Sequence, residues 1–67
     1  MTILKVIEVL TESNKSWEDA AQEAVREAAK TVENIRSIYI NDFQAVVENQ
    51  KIIKYRVNAK ISFEISK

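Results

Sequence analysis

The chain has 67 residues, with ten basic and ten acidic side chains that alternate along it, and it lacks cysteine and histidine. Balanced charge excludes the surplus of cations that nucleic-acid binding requires, and the missing residue types exclude disulfides and the common zinc sites. A single domain over residues 1–67 buries only about 60% of its unfolded-chain surface. The composition therefore favours stabilisation by association with further copies of the same chain.

The first predicted element is a strand over residues 2–10, rich in isoleucine, leucine and valine, with Lys5 and Glu8 as its charged residues. β-Branched residues suit a pleated sheet, and apolar residues at both odd and even positions predict burial on both faces. The polar residues 11–15 break this pattern, so we expect the strand to end before them.

A helix is predicted from Trp17 to about residue 32. Ser16 is expected to cap it, because its hydroxyl can accept from the backbone N–H of Asp19, and Glu18 and Asp19 suit the positive end of the helix dipole. Apolar residues recur every three or four positions on one mostly alanine face: Ala20, Ala21, Ala24, Val25, Ala28, Val32 and Ile35. Small side chains allow a close approach to a sheet, with Trp17 as a bulky packing anchor. Asn34 is expected to adopt a left-handed conformation at the C′ position.

The remaining sequence predicts a β-hairpin with strands at residues 36–47 and 52–65 and a turn at residues 48–51. In the last strand the odd positions from Ile53 to Ile65 are apolar, and the even positions from Lys54 to Glu64 are polar. This strict alternation predicts one dry face and one wet or interfacial face.

These elements predict an α+β fold in the order βαββ. If the third strand lies between the other two, every neighbouring pair in the sheet is antiparallel and the strand order is 1-3-2. The helix then covers the apolar face of this three-stranded sheet. Two long sheet edges stay open, which is a liability in a monomer but useful in an assembly.

The residue types also limit the function classes. Without cysteine or histidine the commonest nucleophile–base pairs are absent, and without glycine a glycine-rich phosphate loop cannot form. The acidic residues do not follow the spacing of a helix–loop–helix calcium site. Since no uninterrupted apolar run exceeds three residues, nothing is long enough to cross a bilayer. We therefore expect a soluble, cytoplasmic protein that is not an enzyme and binds neither nucleic acid nor membranes.

Several segments resemble the dodecin family. Residues 16–21 (SWEDAA), 24–25 (AV) and 30–36 (KTVENIR) resemble the dodecin helix, residues 55–57 (YRV) and 60–63 (KISF) its last strand, and residues 5–8 (KVIE) its first. The resemblance covers nearly the whole chain. It implies a hollow homododecamer with cubic symmetry that binds pairs of flavins at its two-fold axes, and so stores or buffers FMN or riboflavin without catalysis.

The resemblance also implies three ligand-site positions. Ser37 lies where flavin-binding members carry a stacking tryptophan, Arg56 where a residue that is usually glutamine hydrogen-bonds the flavin, and Asp42 matches an acidic residue near the ligand channel of some members. Losing the stacking platform removes about 1–3 kcal/mol per ring, by analogy with base–aromatic stacking. Two alternatives stay open: a flavin-binding dodecin, and a flavin-free variant that forms a structural shell or binds another small ligand or cation.

The same polar residues also have a structural interpretation. Ser37 and Arg56 can be ordinary polar residues on the wet face of the sheet. Arg56 could instead pair with a carboxylate of another subunit, from Glu8, Glu48 or Glu64. Lys54, Arg56 and Lys60 form a cationic stripe that could receive a flavin phosphate, or be solvated or paired across an interface.

Overall fold

The computed structural model describes residues 2–66 as one helix packed on a three-stranded sheet. The elements in chain order are β1 (Ile3–Ser13), α1 (Trp17–Ala28), β2 (Ile35–Glu48) and β3 (Lys51–Ser66). β3 lies between β1 and β2 and is antiparallel to both. The predicted βαββ order and the sheet order 1-3-2 are confirmed.

The hydrophobic core lies between α1 and the odd-numbered face of β3. On α1, Ala20 and Ala24 are buried, and they pack against fully buried residues of the central strand, Val57, Ala59 and Ile61. The small alanine side chains allow α1 to approach the sheet closely, as the sequence predicts. Burial of the odd positions is confined to residues 57–63, because both ends of β3 extend beyond the helix.

The N-terminus of α1 is capped by three linked side chains. The Ser16 hydroxyl accepts a hydrogen bond from the backbone N–H of Asp19 at 2.9 Å, as predicted. The Ser13 hydroxyl donates to the Asp19 carboxylate at 2.6 Å and accepts from the backbone N–H of Lys15 at 2.9 Å. Ser13, the last residue of β1, therefore fixes the strand to the start of the helix.

Trp17 anchors this end of α1 on the sheet, as the sequence predicts. Its indole N–H donates to the backbone carbonyl of Gln44 at 2.8 Å. Its ring packs edge-to-face against Tyr55 at 4.9 Å and Phe43 at 5.9 Å between ring centroids. A register shift between Ile40 and Asp42 precedes Phe43 on β2 and brings its ring to the helix side of the sheet.

β1 is longer than the sequence predicts, since it continues through residues 11–13. β3 supplies pairing partners as far as Tyr55, and the Thr11 hydroxyl donates to the carbonyl of Ala20 at 2.7 Å. The predicted burial of β1 on both faces is wrong for the single chain. Val6 and Leu10 point away from α1 and are 55% and 60% exposed.

α1 is shorter than predicted and ends at Ala28. The chain continues as a tight turn, in which the backbone N–H groups of Thr31 and Val32 donate to the carbonyl of Ala28 at 3.0 and 2.9 Å. Asn34 has the expected left-handed conformation, with φ of 62°, but it precedes β2 and does not occupy the C′ position. No helix in the described residues is long and apolar enough to cross a membrane.

The turn between β2 and β3 contains only Asn49 and Gln50, two residues fewer than predicted. Both have positive φ, of 53° and 64°. Two successive positive φ values are typical of the type I′ turn that joins twisted strands in a two-residue hairpin.

Candidate functional site

The sheet face opposite α1 carries all three candidate site residues. We name it the open face and define it by the even positions of β1, the even positions of β3 from Lys54 to Glu64, and the β2 residues that pair with them. Its members are Leu4, Val6, Glu8, Leu10 and Glu12 on β1, Ser37, Tyr39, Asp42, Gln44 and Val46 on β2, and Lys54, Arg56, Asn58, Lys60, Ser62 and Glu64 on β3.

Ser37 presents a hydroxyl at one end of the open face. It hydrogen-bonds the hydroxyl of Ser62, its partner on β3. Tyr39, two residues further along β2, is 66% exposed. Trp17 lies on the opposite side of the sheet and packs against Tyr55, so its ring is not available to the open face.

Arg56 is held by a carboxylate of its own chain. Its Nε donates to Glu12 Oε2, and Lys54 Nζ lies 3.7 Å from Glu12 Oε1. The hydrogen bond from Arg56, together with the positive charges of Arg56 and Lys54, lowers the pKa of Glu12 below its ordinary value, and burial opposes this shift. Glu12 is not among the partners that the sequence suggests for Arg56.

Glu64, suggested as a partner of Arg56 from another subunit, pairs within its own chain with Arg36, whose Nη2 lies 2.9 Å from Glu64 Oε1. Glu8 lies opposite Lys60. Acidic residues of β1 thus face cations of β3 at two places, so neighbouring carboxylates offset much of the predicted cationic stripe.

Asp42 lies at the centre of the open face, opposite Asn58. The side-chain amide of Asn41 donates to Glu8 at 3.4 Å and to the Asn58 side-chain oxygen at 3.3 Å. Carboxylate and amide oxygens therefore collect here. Within residues 2–66, however, no group of three or more acidic side chains lies close enough to hold a metal ion.

The three candidate residues do not form one site within a single chain. Ser37 is opposite Ser62, which is six positions from Arg56 on β3, or about 20 Å at the usual rise of a strand. Asp42 is a diagonal neighbour of Arg56. A flavin ring can contact both Ser37 and Arg56 only if different copies of the chain supply them.

Apolar side chains flank the polar centre of the open face. Val6 and Leu10 lie on one edge strand and Tyr39 on the other, and all three are more than half exposed. The end of the β2–β3 hairpin extends past β1, whose pairing stops at Tyr55, and it exposes Val47, Ile52 and Ile53. Large apolar side chains exposed in this number on one small chain indicate an interaction surface.

The polar pattern of residues 11–15 predicts a loop, so Glu12 does not stand out from the sequence as a site residue. The signal that would have found it is the pairing register: once β1 extends to Ser13, Glu12 lies directly opposite Arg56. Opposite charges directly across a strand pair attract each other.

Comparisons with known proteins agree with the fold. The family model described as Dodecin matches residues 3–66. Calcium dodecin of Mycobacterium tuberculosis is 35% identical over 65 residues, which cover 97% of this chain and 92% of that protein. The crystal structure of that calcium-chelating protein superposes with a TM-score of 0.82 at 34% identity, covering 96% of this chain and 91% of that one. Dodecin of Streptomyces coelicolor, at 20% identity, shares the fold with a TM-score of 0.91 over 98% and 94% of the two chains.

Proposed function

The chain belongs to the dodecin family, and from that premise we propose that it is a non-catalytic binding protein that works as a homododecameric shell. The observation that carries the proposal is the uncovered open face. Val6, Leu10 and Tyr39 are exposed on its two edge strands, and burial against further copies removes their apolar surface from water.

Native mass spectrometry and light scattering test the assembly. We expect a particle of twelve chains of 7.7 kDa at micromolar concentration. A stable, folded 7.7 kDa monomer at that concentration would contradict the proposal.

The ligand that we propose first is FMN or riboflavin, held between copies near Ser37, Asp42 and Arg56. Asp42 and Arg56 are diagonal neighbours on the open face, and a guanidinium offers several N–H donors to the polar edge of a flavin. Ser37 supplies a hydroxyl instead of a ring. We therefore expect binding weaker than with a stacking tryptophan by about one to two powers of ten.

Quenching of riboflavin fluorescence by the assembled protein tests this ligand. Saturable quenching with a fixed number of flavins per assembly supports it. Unchanged fluorescence in the presence of intact assembly rejects flavin binding but leaves the shell in place.

A divalent cation is a second candidate ligand, favoured by the similarity to calcium dodecin. Calcium prefers carboxylate and amide oxygens, and Glu8, Asp42 and Asn58 bring such oxygens to the centre of the open face. Within residues 2–66 no group of three acidic side chains comes together, so the proposed site needs ligands from a second copy. Calorimetric titration with calcium tests this ligand. We expect Asp42→Asn to weaken calcium binding. If the intact native assembly gives no heat of binding, calcium is rejected as the ligand.

A further inference from the structure

Glu12 is positioned between the two cations at the end of the open face. Its two carboxylate oxygens point to different partners, Oε2 to Arg56 and Oε1 to Lys54. Because Glu12 and Arg56 are direct cross-strand partners, the contact is set by the register of the sheet. An open depression of about 220 Å³ lies beside it, lined also by Ser13 and Asn14.

This geometry leaves Arg56 partly available. Its Nε bond to Glu12 uses one of the five N–H donors of the guanidinium, and the side chain is 40% exposed. An incoming anion can reach Arg56, but it meets a carboxylate that already offsets the positive charge. A neutral ligand meets no such opposition.

We propose that Glu12 determines the ligand charge that this end of the open face accepts, by offsetting part of the positive charge of Arg56 and Lys54 and so disfavouring phosphate-bearing ligands relative to neutral ones. The inference rests on the proposed ligand-binding function. It predicts that the ratio of riboflavin affinity to FMN affinity is higher for the native protein than for a variant without the Glu12 charge.

The variant Glu12→Gln tests the inference, because it keeps the size of the side chain and removes its charge. We expect FMN to bind the variant about twofold to fivefold more tightly than it binds the native assembly, the range expected for one ion pair at a partly exposed site. Riboflavin, which lacks the phosphate, should gain less affinity than FMN. Adding Arg56→Gln to the Glu12→Gln variant should abolish the gain in FMN affinity.

Glu23→Gln is the matched control. Glu23 also pairs with an arginine, Arg26, at 3.2 Å, but on the outer surface of α1. The Glu23→Gln variant should change neither the FMN affinity nor the riboflavin affinity. An unchanged FMN affinity in Glu12→Gln, or an equal gain for FMN and riboflavin, would overturn the inference. Glu12→Thr, whose β-branched side chain suits a strand, replaces the glutamine variant if that one does not assemble.

Failure of the inference can be distinguished from failure of flavin binding. If the native assembly binds neither flavin, inorganic phosphate serves as the probe, followed by chemical-shift changes of the Arg56 and Lys54 side chains. Tighter phosphate binding by Glu12→Gln than by the native protein sustains the inference without flavin. Equal binding rejects it.

Discussion

Ser37 is the proposed site residue at which a single side chain should change flavin affinity most. Its hydroxyl bonds Ser62, at a position where the resemblance to flavin-binding dodecins implies a stacking ring. We predict that Ser37→Trp strengthens riboflavin binding by about 10- to 100-fold, because it restores about 1–3 kcal/mol of stacking. Fluorescence quenching titrations measure the change.

Ser62→Ala is the control for this substitution, because both variants lose the hydrogen bond between Ser37 and Ser62. Only the tryptophan variant adds a ring. If Ser37→Trp gains no more affinity than Ser62→Ala, the stacking position has been assigned to the wrong residue.

Glu12 gives a prediction about pH. Its pKa is lowered from 4.5 by the hydrogen bond from Arg56 and by the charges of Arg56 and Lys54. A carboxyl whose pKa is lower in the folded state stabilises that state above its unfolded pKa, and the contribution is lost as the pH falls through the folded value. We therefore expect the native protein to melt at a higher temperature than Glu12→Gln at about pH 7. The difference should shrink and vanish as the pH falls below 4.5 and through the lowered pKa of Glu12.

Thermal denaturation of both proteins across this pH range measures the effect, at pH values where light scattering shows the same particle size. Other carboxyls titrate in both proteins and cancel in the difference. A melting difference that stays constant down to the acid end would mean that the charge of Glu12 has no part in it.

At the scale of the elements, the hairpin turn carries a residue that suits it poorly. Gln50 has φ of 64°, and a left-handed conformation is unfavourable for residues with a Cβ other than asparagine and aspartate. We predict that Gln50→Gly raises the free energy of unfolding by about 0.5–1 kcal/mol. Gln22→Gly, in the exposed interior of α1, should instead lower it by about 1 kcal/mol.

Denaturant unfolding of the two glycine variants measures these opposite changes. If both variants are destabilised, the added flexibility of the unfolded chain outweighs the relief of the turn. The assignment of a type I′ geometry would then lose its support.

The sequence predicts best those features that depend on neighbouring residues. Alternation in β3 identifies the buried row from Val57 to Phe63, because the side chains of a strand alternate between its faces. The spacing of the alanines identifies the buried face of α1, and Ser16 identifies its start. These signals are local, so they can be recognised without knowledge of the fold.

Features that depend on pairing between residues far apart in the sequence could not be predicted in this way. Residues 11–13 are polar and resemble a loop, yet β3 and the start of α1 satisfy their hydrogen bonds. The partner of Glu12 is 44 positions away in sequence. Likewise, the alternation places Ser37 and Arg56 on a wet face, but only the pairing register reveals the separation between them.

At the scale of the whole molecule, the single chain is an elongated plate. Its radius of gyration is 13.7 Å and its extents are 51 × 20 × 13 Å, whereas a compact domain of this length has a radius of gyration of about 11 Å. One helix covers only part of one sheet face. Such a shape leaves apolar surface that the chain cannot bury alone, which is the physical reason to expect assembly.

Leu10→Lys tests whether the open face is what drives this assembly. In the single chain Leu10 is 60% exposed, and on the same face of β1 it lies between Glu8 and Glu12, so a lysine there is tolerated by the isolated fold. Burying that charge against another copy would be costly. We predict that the variant keeps its circular dichroism spectrum but sediments as a smaller species than the native protein.

Gln22→Lys adds the same charge on the exposed surface of α1 and should leave the particle size unchanged. Since one chain has only a small core, the dissociated Leu10→Lys species should also melt at a lower temperature. If it assembles like the native protein, the open face is not the contact between copies, and any ligand site between them has to be sought elsewhere. Dissociation of both variants would mean that added charge, and not its place on the open face, breaks the particle.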